Sequence, residues 1–270
     1  MTAYYKLLSQ TTEADGEVRS TYMPNIHAQG AWNEDEQHMG PASGLLAAEI
    51  ARFMPRDDLR IGRISYDILG MIHFSESTIQ TRLLRPGKTI ELVEAQMITK
   101  GRVSIVARAW RMLTQDTQPI AAIEDQPMPG PDFDKSLHGQ LDWPGGFIQS
   151  LSIYQGAQHR AGKGQVWLNT DINMIEGQQD SDLVHLIGLL DTANGIAHRQ
   201  LSTGINWAFP NLDVQLHMYR QPQGRWLGLD ATQQYGSDGI GLTSAILHDE
   251  QGPFGRSEQI LTVRPLPAPL

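Results

Sequence analysis

Three polar side chains in the second half of the chain have the types and positions needed to hold one water molecule. Asp191 lies within residues 182–199, an apolar stretch whose spacing predicts one largely buried helix. Asn211 and Gln259 lie near the ends of predicted strands. A carboxylate and two amides can fix the orientation of a water, and such a water is a nucleophile for an activated carbonyl.

The environment predicted for Asp191 leaves two interpretations open. A carboxylate on a buried helix must be paired, hydrated or poised to react. Gly188 and Gly195 share its helix face and cost about 1 kcal/mol each against alanine, but they leave room for a strand or a ligand. The alternative is a structural Asp191 bonded to a loop N–H or an arginine, with Asn211 and Gln259 as ordinary strand or turn residues.

The composition excludes several classes of protein. The chain has 270 residues, a formal charge of −9 and no cysteine. Without cysteine there is no disulfide, no thiolate nucleophile and no thiolate metal site. The acidic balance argues against nonspecific binding to nucleic acid or to an anionic membrane surface. No nucleotide-binding loop occurs and no two histidines have ligand spacing, so we expect neither cofactor nor metal.

The sequence contains no apolar run of the roughly 18 residues that a membrane span needs. The first residues lack the basic and apolar regions of a signal peptide. We therefore expect a cytoplasmic protein with no membrane partner.

The elements that must position the polar residues occur in a repeated order. In the first half the pattern predicts a hairpin, a helix over residues 42–54 and extended runs. These runs lie at 61–68, 72–83, 89–99, 102–113 and 120–123. In the second half a strand at 165–173 precedes the apolar helix, and extended runs follow at 212–220, 226–235, 239–248 and 257–263.

The repeated order predicts two copies of one unit. Pro, Asp and Gly residues concentrated between Gln126 and Gly146 indicate a linker, so we predict units at residues 1–128 and 137–270. The turn sequences around Pro119 and Pro253 match, which sets the repeat at 253 − 119 = 134 residues. A helix followed by antiparallel strands, twice, predicts an α+β protein with one long sheet around two central helices.

Several motifs resemble those of double hotdog acyl-CoA thioesterases of the thioesterase II type. The resemblance covers nearly the whole chain and is densest in its second half. His38-Met39-Gly40-Pro41 is similar to the family's His-Gly-Gly-Pro motif, with Met39 in place of one glycine. The other motifs are the stretches at 190–195, 211–220, 224–231 and 255–259.

The resemblance implies a function and a set of site residues. The implied catalytic set falls on Asp191, Asn211 and Gln259, with Asn211 where thioesterase II has threonine. The implied reaction is hydrolysis of acyl-CoA by direct attack of water, with Asp191 as general base and the two amides orienting the water. The candidate substrate-binding residues are His38 in the resembling motif, Gly40 for close backbone approach, and Arg220 for the CoA phosphates, although Arg220 could also be an ordinary surface charge.

The first half offers an incomplete version of this set. Glu49 lies near the place of Asp191, and Asp125 near that of Gln259. We therefore expect one working site in each pair of hotdogs. The family resemblance also implies a homodimer.

Two further classes remain open. One is a hotdog protein that binds acyl thioesters without cleaving them, or a hydratase, for which Asp191 and His198 would be the paired residues. The other is an interaction module, which is favoured if Asp191 is in a salt bridge and no pocket reaches it.

Overall fold

The computed structural model describes residues 2–137, 144–199 and 207–266, and the structural statements below concern this part of the chain. Its first half begins with a hairpin whose turn contains Gly16 at a φ of +86°, a conformation that glycine adopts without steric cost. The elements of this half are β1 (Ala3–Thr12), β2 (Val18–Pro24), α1 (Met39–Arg52), β3 (Leu59–Ile68), β4 (Ser77–Arg85), β5 (Ile90–Thr99) and β6 (Arg102–Leu113).

The second half has the same order of elements with short additions. These elements are α2 (Gly146–Gln149), β7 (Ser152–Gln155), β8 (Lys163–Asn169), β9 (Asn173–Ile175), α3 (Asp182–Leu189), α4 (Thr192–Ile196), β10 (Trp207–Ala208), β11 (Asp213–Met218), β12 (Leu227–Tyr235), β13 (Ile240–Asp249), β14 (Gly252–Thr262) and β15 (Arg264–Pro265). The sequence pattern did not predict α2 or β7.

The strand predicted at 120–123 is wrong. Residues Gln118–Ile120 form a single 3-10 turn, and the chain beyond it belongs to no strand. Ile120 is 81% exposed and Ile123 51% exposed, so their apolar character reflects no sheet face. A short apolar run alone does not distinguish a strand from an extended linker.

Thirteen of the described strands form one sheet that is mirrored about its centre. The order is β7-β8-β12-β13-β14-β11-β3-β6-β5-β4-β2-β1-β9. The two halves meet where β3 and β11 pair antiparallel, with Leu216 opposite Ile64. The short β9 crosses to the far edge and pairs parallel with β1. The predicted α+β plan, one long antiparallel sheet around central helices, is confirmed.

The duplication is visible in the fold, but the 134-residue repeat is wrong. Equivalent strands begin 150 residues apart, as in β4 and β12, β5 and β13, and β6 and β14. The turn at Pro119 follows β6, whereas Pro253 is the second residue of β14, the strand equivalent to β6. Matching them slipped the alignment by one strand, because hairpin turns throughout a sheet favour the same few residue types. The unit bounds of 1–128 and 137–270 stay predictions.

Helices α1 and α3 cross at closest approach through two glycines. A Cβ on Gly44 would lie 3.0 Å from the Cα of Gly188 and 2.2 Å from the Met174 side chain. The Ser43 hydroxyl donates to the carbonyl of Ile187 at 3.2 Å. The N-terminal end of α1 therefore lies beside the C-terminal end of α3.

We predict that Gly44→Val lowers the free energy of unfolding by about 1–3 kcal/mol, the usual cost of overpacking a core. The added side chain meets the α3 backbone at Gly188, which cannot move without displacing the helix. Urea unfolding measures the change. Gly70→Ala is the matched control, because a Cβ at Gly70 meets nothing within 4 Å. Equal stability of the two variants would contradict the prediction.

Candidate active site

Asp191 lies at a break between two helices and not within one continuous helix. The predicted helix over 182–199 is interrupted after α3 and resumes as the short α4. The Thr192 hydroxyl donates to the Leu189 carbonyl at 2.7 Å and occupies an acceptor at the end of α3. The Ala193 N–H then bonds to Leu190, three residues back, at 3.2 Å. The chain therefore turns more tightly at Asp191 than in a regular α-helix.

Two amides converge on one oxygen of the Asp191 carboxylate. Asn211 donates from Nδ2 to Oδ1 at 2.9 Å, and Gln259 donates from Nε2 to the same oxygen at 3.0 Å. Asn211 precedes β11 and bridges to Leu261, while Gln259 faces inward from β14 with 1% of its surface exposed. The structure thus brings together the three residues that the sequence singled out. Both amides bind the carboxylate itself.

His38 approaches the other carboxylate oxygen from the first half of the chain. Its Nδ1 lies 3.5 Å from Asp191 Oδ2 and accepts the Gly40 N–H at 3.0 Å, so His38 caps α1. An accepting Nδ1 carries no proton, which places the proton of the neutral ring on Nε2. The ring packs against Phe147 with a centroid distance of 4.4 Å. The sequence placed His38 at the substrate but gave no sign of its contact with Asp191.

Burial moves the pKa values of this pair in opposite directions. Burial raises the pKa of Asp191, and the hydrogen bonds from Asn211 and Gln259 oppose this effect. The pKa that results is about 7. Burial lowers the pKa of His38 to about 3. His38 is therefore neutral at physiological pH, and its contact with Asp191 is not an ion pair. A carboxyl group with a pKa near 7 is well suited to act as a general base.

A pocket opens directly onto the carboxylate. It leaves about 60 Å³ for the centres of water molecules, and one water needs roughly 10–15 Å³. Asp191, His38 and Asn211 supply polar wall atoms. The rest of its lining is largely apolar and comes from both halves of the chain, including Trp32, Ile148, Ile153, Ile196 and Phe209. The pocket therefore combines a base, space for water and an apolar wall.

A structural Asp191 would be bonded to a loop N–H or an arginine, and the described residues show neither contact. The groups bonded to its carboxylate are side-chain amides, and no arginine or lysine pairs with it. Within the same residues, no group of three or more His, Asp and Glu could hold a metal ion.

The first half holds no equivalent constellation. A shift of 150 residues places Ala109 opposite Gln259 and Ile61 opposite Asn211, so both amides are replaced by apolar side chains. Glu49 is buried, and it bonds to Ser20, Tyr22 and Arg52.

The placement of Asp125 near the position of Gln259 is wrong. Asp125 pairs with Arg256, whose side chain points outward from β14, and it accepts from the Tyr219 hydroxyl at 3.2 Å. The error has the same origin as the 134-residue repeat, a slip of one strand.

The remaining predicted residues have partners other than the carboxylate of Asp191. Gly40 is buried, and its Cβ would meet Phe147 at 2.7 Å and the Gly188 carbonyl at 2.8 Å. The guanidinium of Arg220 pairs with Asp249 at 2.6 Å. His198 follows the end of α4 and bonds to Gly195 through Nδ1 at 2.8 Å. Substrate contacts by Gly40 and Arg220 stay predictions.

Solved structures of similar fold define the class of protein. A conserved hot dog protein of unknown function from Alicyclobacillus acidocaldarius has a TM-score of 0.73 at 12% identity, over 97% of each chain. An acyl-CoA thioesterase II from Mycobacterium marinum has a TM-score of 0.65 at 14% identity, also over 97% of each chain. The chain is a double hotdog protein.

Two family models match most of the chain and identify its family within this fold class. A model of an acyl-CoA thioesterase N-terminal domain matches residues 28–112, and one of an acyl-CoA thioesterase C-terminal domain matches residues 121–263. Comparison with curated protein sequences gave no match. The chain belongs to the acyl-CoA thioesterase family and is a thioester hydrolase, which confirms the family that the sequence motifs indicated.

We predict that Asp191→Asn stabilises the protein above pH 7, by on the order of a few kcal/mol. The folded-state pKa of about 7 lies above the ordinary value of 3.8. The folded protein therefore keeps a proton that the unfolded chain loses, and stability falls as the pH rises through this window. Asparagine preserves an acceptor for both amides without a charge.

Urea unfolding of both proteins at several pH values measures this effect. The gain should be largest at pH 8 and fade below about pH 4, where the carboxyl is protonated in both states. Asp182→Asn is the control, since Asp182 is exposed at the start of α3. A pH-independent difference between wild type and Asp191→Asn would contradict the prediction.

Proposed function

We propose that the protein hydrolyses acyl-CoA to a free acid and CoA by direct attack of water, with Asp191 as the general base. The observation that carries the proposal is that the two carboxylate oxygens of Asp191 have different surroundings. Oδ1 is fixed by Asn211 and Gln259, whereas Oδ2 is bonded to neither amide and lies 3.5 Å from the imidazole of a neutral His38. A fixed carboxylate with one free oxygen can accept a proton from water in a defined direction.

The proposed reaction needs no covalent intermediate. Water loses a proton to Asp191 Oδ2 as its oxygen bonds to the thioester carbon. The tetrahedral intermediate then collapses, the carbon–sulfur bond breaks, and the leaving CoA thiolate takes up the proton that Asp191 accepted, which regenerates the base. The absence of cysteine from the chain fits this route, since the sulfur at the reacting bond comes from the substrate.

His38 is the proposed partner of the thioester carbonyl. The Gly40 N–H is already bonded to His38, so this backbone group is not free to bind an oxyanion. The neutral imidazole carries its proton on Nε2, and His38 lines the pocket beside Asp191. A neutral donor aimed at developing negative charge stabilises the transition state. The N-terminal end of α1 adds a favourable dipole.

The alternatives have less support. The hydratase alternative paired Asp191 with His198, but His198 does not line the pocket among the described residues and bonds to Gly195. A protein that only binds acyl thioesters would not need a carboxylate buried at the cost of a raised pKa. None of the described helices has the length and apolarity to cross a membrane. A homodimer and a cytoplasmic location stay predictions.

We predict that Asp191→Asn reduces release of free thiol from acyl-CoA esters by roughly 10²–10⁴-fold, the usual contribution of a general base. A panel of acyl-CoA chain lengths with a thiol reagent measures the rate. Asp182→Asn, the same chemical change at an exposed site on the neighbouring helix, should leave the rate unchanged. Absence of thiol release from wild type with any ester, or full activity in Asp191→Asn, would reject the proposal.

A second prediction concerns the pH dependence. Since the base must be ionised, kcat/KM should fall as the pH drops below about 7, the pKa of Asp191. Asn211→Ala removes a hydrogen bond that favours the charged form, so the acid limb should move to higher pH and kcat should fall. Asn211→Thr keeps a hydroxyl donor and should shift the limb less. Identical pH profiles in the three proteins would contradict this role of Asn211.

A further inference from the structure

A row of polar side chains crosses the inner face of the sheet beneath the site. Gln233 on β12 pairs in register with Thr243 on β13, and Thr243 pairs with Gln259 on β14. All three are buried, with exposures of 0%, 1% and 1%. Gln259 belongs to the site, but the proposed mechanism uses neither Gln233 nor Thr243. Buried amides are costly unless they are hydrogen-bonded, so the partners of Gln233 indicate its role.

Gln233 connects α4 to the sheet through hydrogen bonds to Asn194. Its Nε2 donates to both the backbone carbonyl and the side-chain oxygen of Asn194, at 3.0 and 2.8 Å, and it lies 3.1 Å from Thr243 Oγ1. Asn194 lies one helical turn after Asp191 and lines the same pocket. The sheet therefore fixes the position of the helix that follows the carboxylate.

Asn194 extends the link to the segment before β11, which contains Asn211. Its Nδ2 donates to the carbonyl of Phe209 at 2.9 Å. Phe209 lies two residues before Asn211. The segment beyond it is held by β14, through the bond from the Leu212 N–H to Ile260 at 3.0 Å. Hydrogen bonds thus run from Gln233 through Asn194 to the Phe209 carbonyl, two residues before Asn211.

This chain of bonds joins the segment after Asp191 to the segment before Asn211. Asp191 and Asn211 are 20 residues apart in sequence. Asn211 is fixed to β14 by backbone bonds, whereas the break before α4 leaves Asp191 without the regular bonding of a helix interior. A loss of the Gln233 bonds would leave two buried acceptors of Asn194 unpaired and remove the hydrogen bonds that join α4 to β12.

We propose that Asn194 and Gln233 are positioning residues that hold the Asp191 carboxylate against the amides of Asn211 and Gln259. We call Asn194, Gln233 and Thr243 the amide clamp. The effect on turnover rests on the function proposed above for Asp191, but the effect on the carboxyl group itself does not.

Gln233→Met tests the clamp, because methionine has nearly the same length and no amide. The expected result is a kcat lower by about 10- to 100-fold, the scale of a misplaced reactive group, with KM changed little. The Asp191 carboxyl should also titrate at higher pH than in wild type, since its bond from Asn211 is weakened. NMR of protein labelled with ¹³C at the aspartate carboxyl carbons follows this titration, and Asp191→Asn assigns the signal.

Gln165→Met is the matched control for a general loss of stability. Gln165 is a buried glutamine on β8 whose Oε1 accepts from the Gln158 N–H at 3.0 Å, and it does not line the pocket. Its substitution should cost stability but leave kcat and the Asp191 titration unchanged. Asn194→Ser removes the hydrogen bond to the Phe209 carbonyl. This second variant tests the positioning role if Gln233→Met does not fold.

The outcomes separate the clamp from the proposed reaction. A wild-type titration of Asp191 in both clamp variants would overturn the positioning role. Equal effects of Gln165→Met and Gln233→Met would do the same. A wild-type protein that releases no thiol, together with a raised titration in Gln233→Met, would reject the proposed reaction and still support the clamp.

Discussion

The close crossing of α1 and α3 is the constraint on which the site depends. Gly44 and Gly188 let the two helices approach nearly to backbone contact, and this approach brings the start of α1 beside the end of α3. His38 and Asp191 lie at these two ends and therefore meet, although 153 residues separate them in sequence. A larger side chain at the crossing would press on Met174 of β9 and on the facing helix, and would separate the helix ends.

A second constraint is the cost of burying a carboxylate. Burial opposes ionisation of Asp191, while the bonds from Asn211 and Gln259 favour it, and the balance places its pKa near neutrality. Either effect alone would give a poor base: burial without donors keeps the carboxyl protonated, and donors without burial make it weakly basic. This balance depends on the break between α3 and α4 and on the row of Gln233, Thr243 and Gln259 across the sheet.

Much of the fold and the core of the site could be predicted from the sequence. Alternating and helical patterns gave most strands and α1, and an acid among apolar residues identified Asp191. The pairing of His38 with Asp191 could not be predicted, because it depends on how two helices cross. The repeat alignment failed since turn residues such as Pro119 and Pro253 recur at many hairpins and do not identify a strand.

The mirrored sheet also has an evolutionary consequence. Two separate hotdog chains that assemble as a symmetric pair must share one sequence, so every change in one appears in the other. Fusion of the copies removes this requirement. Here one copy keeps the acid and both amides, while Ala109 and Ile61 replace the amides in the other copy, which contributes His38 and Trp32 to its neighbour's pocket. Asymmetry of this kind is not available to a pair of identical chains.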